Sequence, residues 1–220
     1  MLVRPRSVLV TGALVVATLT AAMAPAQATN RVVLSAGHVD VLDIAVEDGQ
    51  LDVVVHDETV EPGVERDPDT VLFQVKPEAG TTVPADAPQF AFLGDPGDSV
   101  WILPEANVEG LLFAGLSTEE LEPGVVKNDT VKVWLVKVCG PADVSLFTVG
   151  AQDEVDILAD SGDGLPDVTT LTAGTHKHEN WAFEAEGDYT LTFIVTARLA
   201  SNNHFIHSGL VDIKFHVGAL

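Results

Sequence analysis

Apolar and polar positions alternate along most of this chain, and almost no stretch carries the 3.6-residue repeat of an amphipathic helix. In the clearest segment Tyr189, Leu191, Phe193, Val195 and Ala197 fall on one face while Thr190, Thr192 and Thr196 fall on the other, the two-residue period of a half-buried strand. Short apolar or alternating runs at 39–45, 51–55, 70–75, 99–103 and 131–138 predict further strands. The pattern continues at 144–149, 155–158, 168–171, 181–183 and 211–217. Glu47-Asp48-Gly49-Gln50 predicts a tight hairpin, because Asp-Gly suits a turn that needs positive φ. The stretches 59–69 and 77–88 are rich in Pro, Gly and acids and predict loops. Ser117–Leu121 alone has helix-type capping, and Pro123 stops it after one turn. Many short strands without crossover helices predict an all-β fold, an antiparallel β-sandwich of immunoglobulin-like or jelly-roll-like kind.

The N-terminus reads differently. Arg4 and Arg6 precede an apolar run from Val8 to about Met23, and Ala26-Gln27-Ala28 then supplies a small-x-small cleavage pattern. This predicts a secretory signal peptide over residues 1–28, with 29–220 left as one β-sandwich domain. The run is short for a spanning helix, so no membrane span is expected after cleavage. No sorting signal or second apolar span is visible before Leu220, so the expectation is a secreted, cell-envelope-associated protein without an evident anchor. Cys139 is the single cysteine, which excludes an intramolecular disulfide, and its place at the end of an apolar run predicts a buried strand-end thiol.

Charge narrows the functions further. The 220 residues carry 33 Asp and Glu against 11 Lys and Arg, a formal charge of -22, with no basic stripe. Such a chain repels phosphate backbones and anionic bilayers, which excludes nucleic acid as a partner. The acidity suits a protein that attracts cations, and equally suits plain solubility.

The seven histidines are clustered. His176-Lys177-His178 puts two imidazoles at i and i+2, so in an extended segment both project from one side and can close on one ion. Trp181 and Phe183 have the opposite parity and are expected to face the core. His38 and Asp40 form a second i, i+2 pair at the mouth of the first strand, and borderline ions such as zinc accept both ligand types. His204 and His207 add two imidazoles between the last strands, and His56 is a further candidate. His216, between Phe215 and Val217, reads as a structural strand residue. The Asp- and Gly-rich run 160–167 lacks the 1, 3, 5 carboxylate spacing of a calcium loop and reads as a turn. No G-x-S-x-G, H-E-x-x-H or phosphate-cradling glycine loop is present, and Glu179 has the wrong parity to serve as base to an ion held by His176 and His178. A non-catalytic protein is expected.

Gly174-Thr175-His176-Lys177-His178-Glu179-Asn180-Trp181-Ala182-Phe183, followed by Gly187-Asp188-Tyr189-Thr190-Leu191-Thr192-Phe193, resembles the actinobacterial surface-anchored protein domain, also described as the choice-of-anchor M domain. The H-x-H-x-N-W-x-F and G-x-Y-x-L-x-F positions of that family all find their match within the region 150–218. Gly37–Asp40 and Val100–Pro104 are similar to it as well. The resemblance implies an exported β protein associated with metal-type ABC transporters and their substrate-binding proteins, and hence capture or relay of a transition metal. Together the residues and the resemblance lead to a divalent transition metal, zinc favoured with manganese or copper as alternatives. His38, His176 and His178 would hold it, with Asp40, His204 or His207 completing the shell. The alternative is an envelope scaffold or adhesion module in which the His/Trp run is an architectural corner whose histidines bond the backbone around Trp181.

Overall fold

The computed structural model describes residues 31–220, so the expected signal peptide lies outside the described residues. Its strands are β1 (Val32–Leu34), β2 (Gly37–Glu47), β3 (Gln50–Asp57), β4 (Val64–Arg66), β5 (Val71–Val75), β6 (Gly80–Thr82), β7 (Ser99–Leu103), β8 (Leu112–Ser117) and β9 (Thr130–Cys139). They continue as β10 (Val144–Val149), β11 (Val155–Asp160), β12 (Asp167–Thr172), β13 (His176–His178), β14 (Asn180–Phe183), β15 (Gly187–Arg198), β16 (Phe205–His207) and β17 (Val211–Val217). The helical elements among the described residues are short 3-10 turns, three of them opened by a proline whose missing N–H costs nothing at a helix start. No described helix is long and apolar enough to cross a membrane.

The strands form three sheets in an all-β, sandwich-like arrangement. The first runs β1-β5-β17-β15-β9-β12, with β16 attached to β15. The second runs β11-β10-β14-β7-β6 and the third β13-β8-β2-β3-β4. Most neighbours are antiparallel, but β1–β5, β5–β17 and β2–β8 run parallel, so two of the sheets are mixed. The β2–β3 hairpin closes at Glu47↔Gln50 with Asp48 and Gly49 both at positive φ, the backbone that its sequence demands.

One hydrophobic cluster draws on all three sheets. At its centre Trp181 and Phe183 of β14 pack on Phe215 of β17, with ring centroids 5.6 and 5.0 Å away. Tyr189, Leu191, Phe193, Val195 and Ala197 are all buried, as their alternation requires. Tyr189 fastens a corner: its hydroxyl donates to the Ala185 carbonyl and accepts from the Ala185 N–H. A smaller cluster of Val83, Leu93, Val100, Phe147 and Ala182 packs the 77–98 segment onto the second sheet.

Several expectations need correction. Cys139 is exposed. The β9–β15 register slips by one residue at Val136, opposite the Thr192/Phe193 step, and a one-residue slip sends every later side chain to the other face. The loops at 59–69 and 77–88 contain the short strands β4 and β6. Ser117 does cap a turn, its hydroxyl accepting from the Glu119 N–H, but that turn is not a helix, and Ser117 is itself the last residue of β8. The alternation criterion misses β8 altogether, because a strand buried along nearly its whole length has no polar face to alternate.

Candidate metal centre

Strand β8 lies between β2 and β13, and the pairing registers place the two histidine-bearing segments on its flanks. One row across the sheet reads His178, Gly115, Asp40, and continues to His56 and Glu65. The rows on either side contain His38 beside Phe113, and His176 beside Ser117 and Asp43. β2 and β13 are two strand spacings apart, about 9.5 Å. Side chains from both can meet only if the position between them is vacated, and Gly115 vacates it. A Cβ there would lie 2.8 Å from Asp40 Oδ1 and 2.8 Å from His178 Cε1, closer than real Cβ atoms approach.

Over that gap His38, Asp40, His176 and His178 converge, with one ligand atom from each lying within 4.8 Å of all the others. His38 Nε2 is 3.0 Å from His176 Nε2 and 3.1 Å from His178 Nε2, and His176 Nε2 is 3.1 Å from Asp40 Oδ1. A tetrahedral ion with bonds of 2.0–2.1 Å has ligand–ligand edges of about 3.3–3.4 Å, so to admit one these three contacts must open by a few tenths of an ångström while the His38 Nε2–Asp40 Oδ1 edge, now 4.0 Å, closes by about 0.6 Å. The ligand atoms therefore lie at metal-binding distance from a common point.

The far sides of the rings explain why these nitrogens point inward. His38 Nδ1 is 2.6 Å from Glu58 Oε2, and His176 Nδ1 is 3.0 Å from Glu119 Oε2. A carboxylate accepts, so each Nδ1 carries the proton and, in the neutral ring, each Nε2 presents a lone pair. Two lone pairs 3.0 Å apart beside a carboxylate oxygen repel, and a cation between them removes the conflict. Carboxylates in this outer position hold the tautomer and raise ligand basicity in metal sites generally. His178 stacks face to face on Phe113 at 3.4 Å and is neighboured by the Ala114 carbonyl, although its buried Nδ1 makes no hydrogen bond of good geometry. Burial pushes the His178 pKa down to about 4, so its ring is neutral at physiological pH and ready to ligate.

Asp40 is 2% exposed and its Oδ1 has no hydrogen-bond donor. Burial raises its pKa, while His176 and His38 pull it back. A buried carboxylate without a donor is costly unless an ion pairs with it. His38 and His176, with side chains 22% and 28% exposed, leave the cluster open to solvent on one side.

The rest of the motif does other work. Asn180 Oδ1 accepts from the Glu105 N–H and its Nδ2 donates to the Phe147 carbonyl, while Trp181 is fully buried. This half of the run is an architectural corner, but the ring nitrogens of His176 turn to Glu119, His38 and Asp40, not to the backbone around Trp181. Glu179 is fully buried, off the face that carries the histidines' ligand atoms.

His204 and His207 are not brought to this group. They belong to the β15–β17 connection of the first sheet, where the His204 N–H donates to Asn202 Oδ1 and His207 Nδ1 accepts from the Gly209 N–H. His216 is a surface strand residue held by Asp188 at 2.6 Å. Sequence reasoning missed Glu58, Glu119, Gly115 and Phe113. None shares a spacing with the histidines, and only a sheet register reveals them.

Comparison with known proteins returns no matching family model, no matching curated protein and no matching solved structure.

Proposed function

We propose that this chain is a secreted or cell-envelope-associated protein that binds a divalent transition metal, zinc before manganese or copper, and performs no catalysis. The observation that carries this reading is the convergence of three imidazole Nε2 atoms and an undonated Asp40 oxygen over Gly115, with carboxylates behind two of the rings. Three nitrogens and one oxygen near tetrahedral spacing suit zinc best, and copper and manganese less well. The half-open site suits an ion that is taken up and passed on, which supports a role in supplying a metal ABC transporter or its substrate-binding protein. It fits the resemblance to the surface-anchored domain at the His176–Phe183 motif. Glu179, the motif's own carboxylate, is fully buried and of opposite parity to His176 and His178, which supports a binding role over a hydrolytic one.

The test is elemental analysis of the purified protein, followed by zinc, manganese and copper titration of wild type and of His176→Ala/His178→Ala. The expected result is stoichiometric, tightly held zinc that the double variant loses while keeping its β-sheet spectrum. A well-folded wild type that takes up no metal at micromolar concentrations would overturn the reading in favour of the scaffold or adhesion module, for which the Asn180–Trp181 corner already provides the architecture.

A further inference from the structure

Beside the four-residue cluster, the same face of the third sheet carries ligating groups that the reading above does not use. β2 contains a bulge between Asp40 and Asp43. In a regular strand residues three apart face opposite ways, and the bulge returns Asp43 to the side of Asp40. Asp43 is 3% exposed, its Oδ1 has no hydrogen-bond partner, and its Oδ2 lies 3.7 Å from His56 Nδ1. No Lys or Arg pairs with it among the described residues. His56 stands directly across from Asp40, and its ring packs over Gly63, where a Cβ would lie 2.9 Å from Nε2. Glu120 lies close enough to feel the charges of Asp43, Glu65 and His56.

We propose that Asp43 and His56 hold a second divalent transition-metal ion, separated from the first by the Asp40 carboxylate, with water completing its shell. An ion about 2.0–2.2 Å from both Asp43 Oδ2 and His56 Nδ1 would subtend an angle of about 120° across their 3.7 Å separation, an ordinary value for two ligands of one metal. Charge argues the same way. Asp40, Asp43, Glu58, Glu65, Glu119 and Glu120 surround the paired sites, and one divalent ion offsets two of these carboxylates. The buried Asp43 carboxylate has no Lys or Arg partner among the described residues, and an ion on Oδ2 would offset its charge. One nitrogen among oxygens is a harder ligand set than three imidazoles, so manganese competes with zinc better here than at the first site.

This inference rests on the metal-binding reading of the first site, and the experiment separates their failures. Isothermal titration and elemental analysis with zinc, then with manganese, are run on the full wild-type chain, His56→Gln and Asp43→Asn. Two ions per chain in wild type, falling to one in both variants with the tight site changed by less than about threefold, is the expected result. His56 is partly exposed, so His56→Gln leaves a folded protein even where Asp43→Asn disturbs the bulge. A wild type that saturates at one ion, or a His56→Gln variant that still binds two, overturns the second site alone. A wild type that binds none overturns the first reading and this one with it.

Discussion

Gly115→Ala is the sharpest test of how the cluster is built. The added Cβ would sit 2.8 Å from Asp40 Oδ1, 2.8 Å from His178 Cε1 and 3.0 Å from His178 Nδ1. Ordinary contact begins near 3.4 Å, so Asp40 or His178 must retreat by about 0.6 Å. Neither is free to yield cheaply, because Asp40 is buried and the His178 ring is stacked on Phe113. Metal–ligand distances tolerate about 0.2 Å, so one ligand is lost or displaced. The expected cost is about 10- to 100-fold in zinc affinity, or about 1.4–2.7 kcal/mol. Overpacking alone costs about 1–3 kcal/mol, and replacing a strand glycine returns about 0.5–1 kcal/mol. The metal-free protein should therefore lose no more than about 2.5 kcal/mol. Competition against a chromogenic chelator gives the affinity, and urea unfolding in the presence of a chelator gives the stability. A Gly115→Ala protein that binds zinc as wild type does would refute the claim that Asp40 and His178 meet on one ion over this residue.

Three further outcomes follow from the same geometry. Glu58→Gln and Glu119→Gln remove the anions behind His38 and His176; since both glutamates are largely exposed, each should weaken zinc binding by about tenfold, the low end for such partners, with little change in urea unfolding, and equal affinity in all three proteins would contradict the outer-shell role. Glu179 is fully buried, and burial pushes its pKa up to about 8 against the pull of Lys177 at 3.6 Å; the unfolded carboxyl ionises near 4.5, so metal-free stability should fall as pH rises from about 4.5 to 8, by at most ~5 kcal/mol, and Glu179→Gln should flatten that slope in urea unfolding measured across the range. Gly140→Ala drives a Cβ into the Tyr189 ring, whose hydroxyl is tied to Ala185; thermal unfolding should show a loss of about 2–3 kcal/mol, with zinc affinity unchanged in the protein that remains folded.

The sequence carried the parts of this molecule that depend on local pattern. All the alternating runs became strands, the Asp48-Gly49 hairpin formed, and the parity of Trp181 and Phe183 against the histidines held. What stayed hidden depends on long-range register. β8 has no alternation because it is covered on both faces, yet its neighbours decide that His38 and His176, 138 positions apart, face each other. Two bulges that no local pattern announces turn Cys139 outward and bring Asp43 to the face that carries Asp40. Gly115 carried no turn signal, since its task is to leave room between strands. His204 and His207 had the right chemistry but belong to a different sheet.

The placement of β13 gives the cluster a mechanical meaning. β13 is a three-residue edge strand, paired only with β8, and the chain leaves it through Glu179 to enter β14 in another sheet. The Asn180 and Trp181 anchors fix the far side of that crossing in the core. Three backbone pairings hold little at an edge, so without an ion His176 and His178 sit on one of the more easily opened parts of the fold. An ion shared with His38 and Asp40 would tie this edge to β2 across the sheet. Its binding energy would then appear as stability, about 2.7 kcal/mol when free metal is a hundredfold above Kd. The two halves of the H-x-H-x-N-W run would then serve one end: Asn180 and Trp181 set where the strand emerges, and a cation on the histidines would decide how firmly it stays.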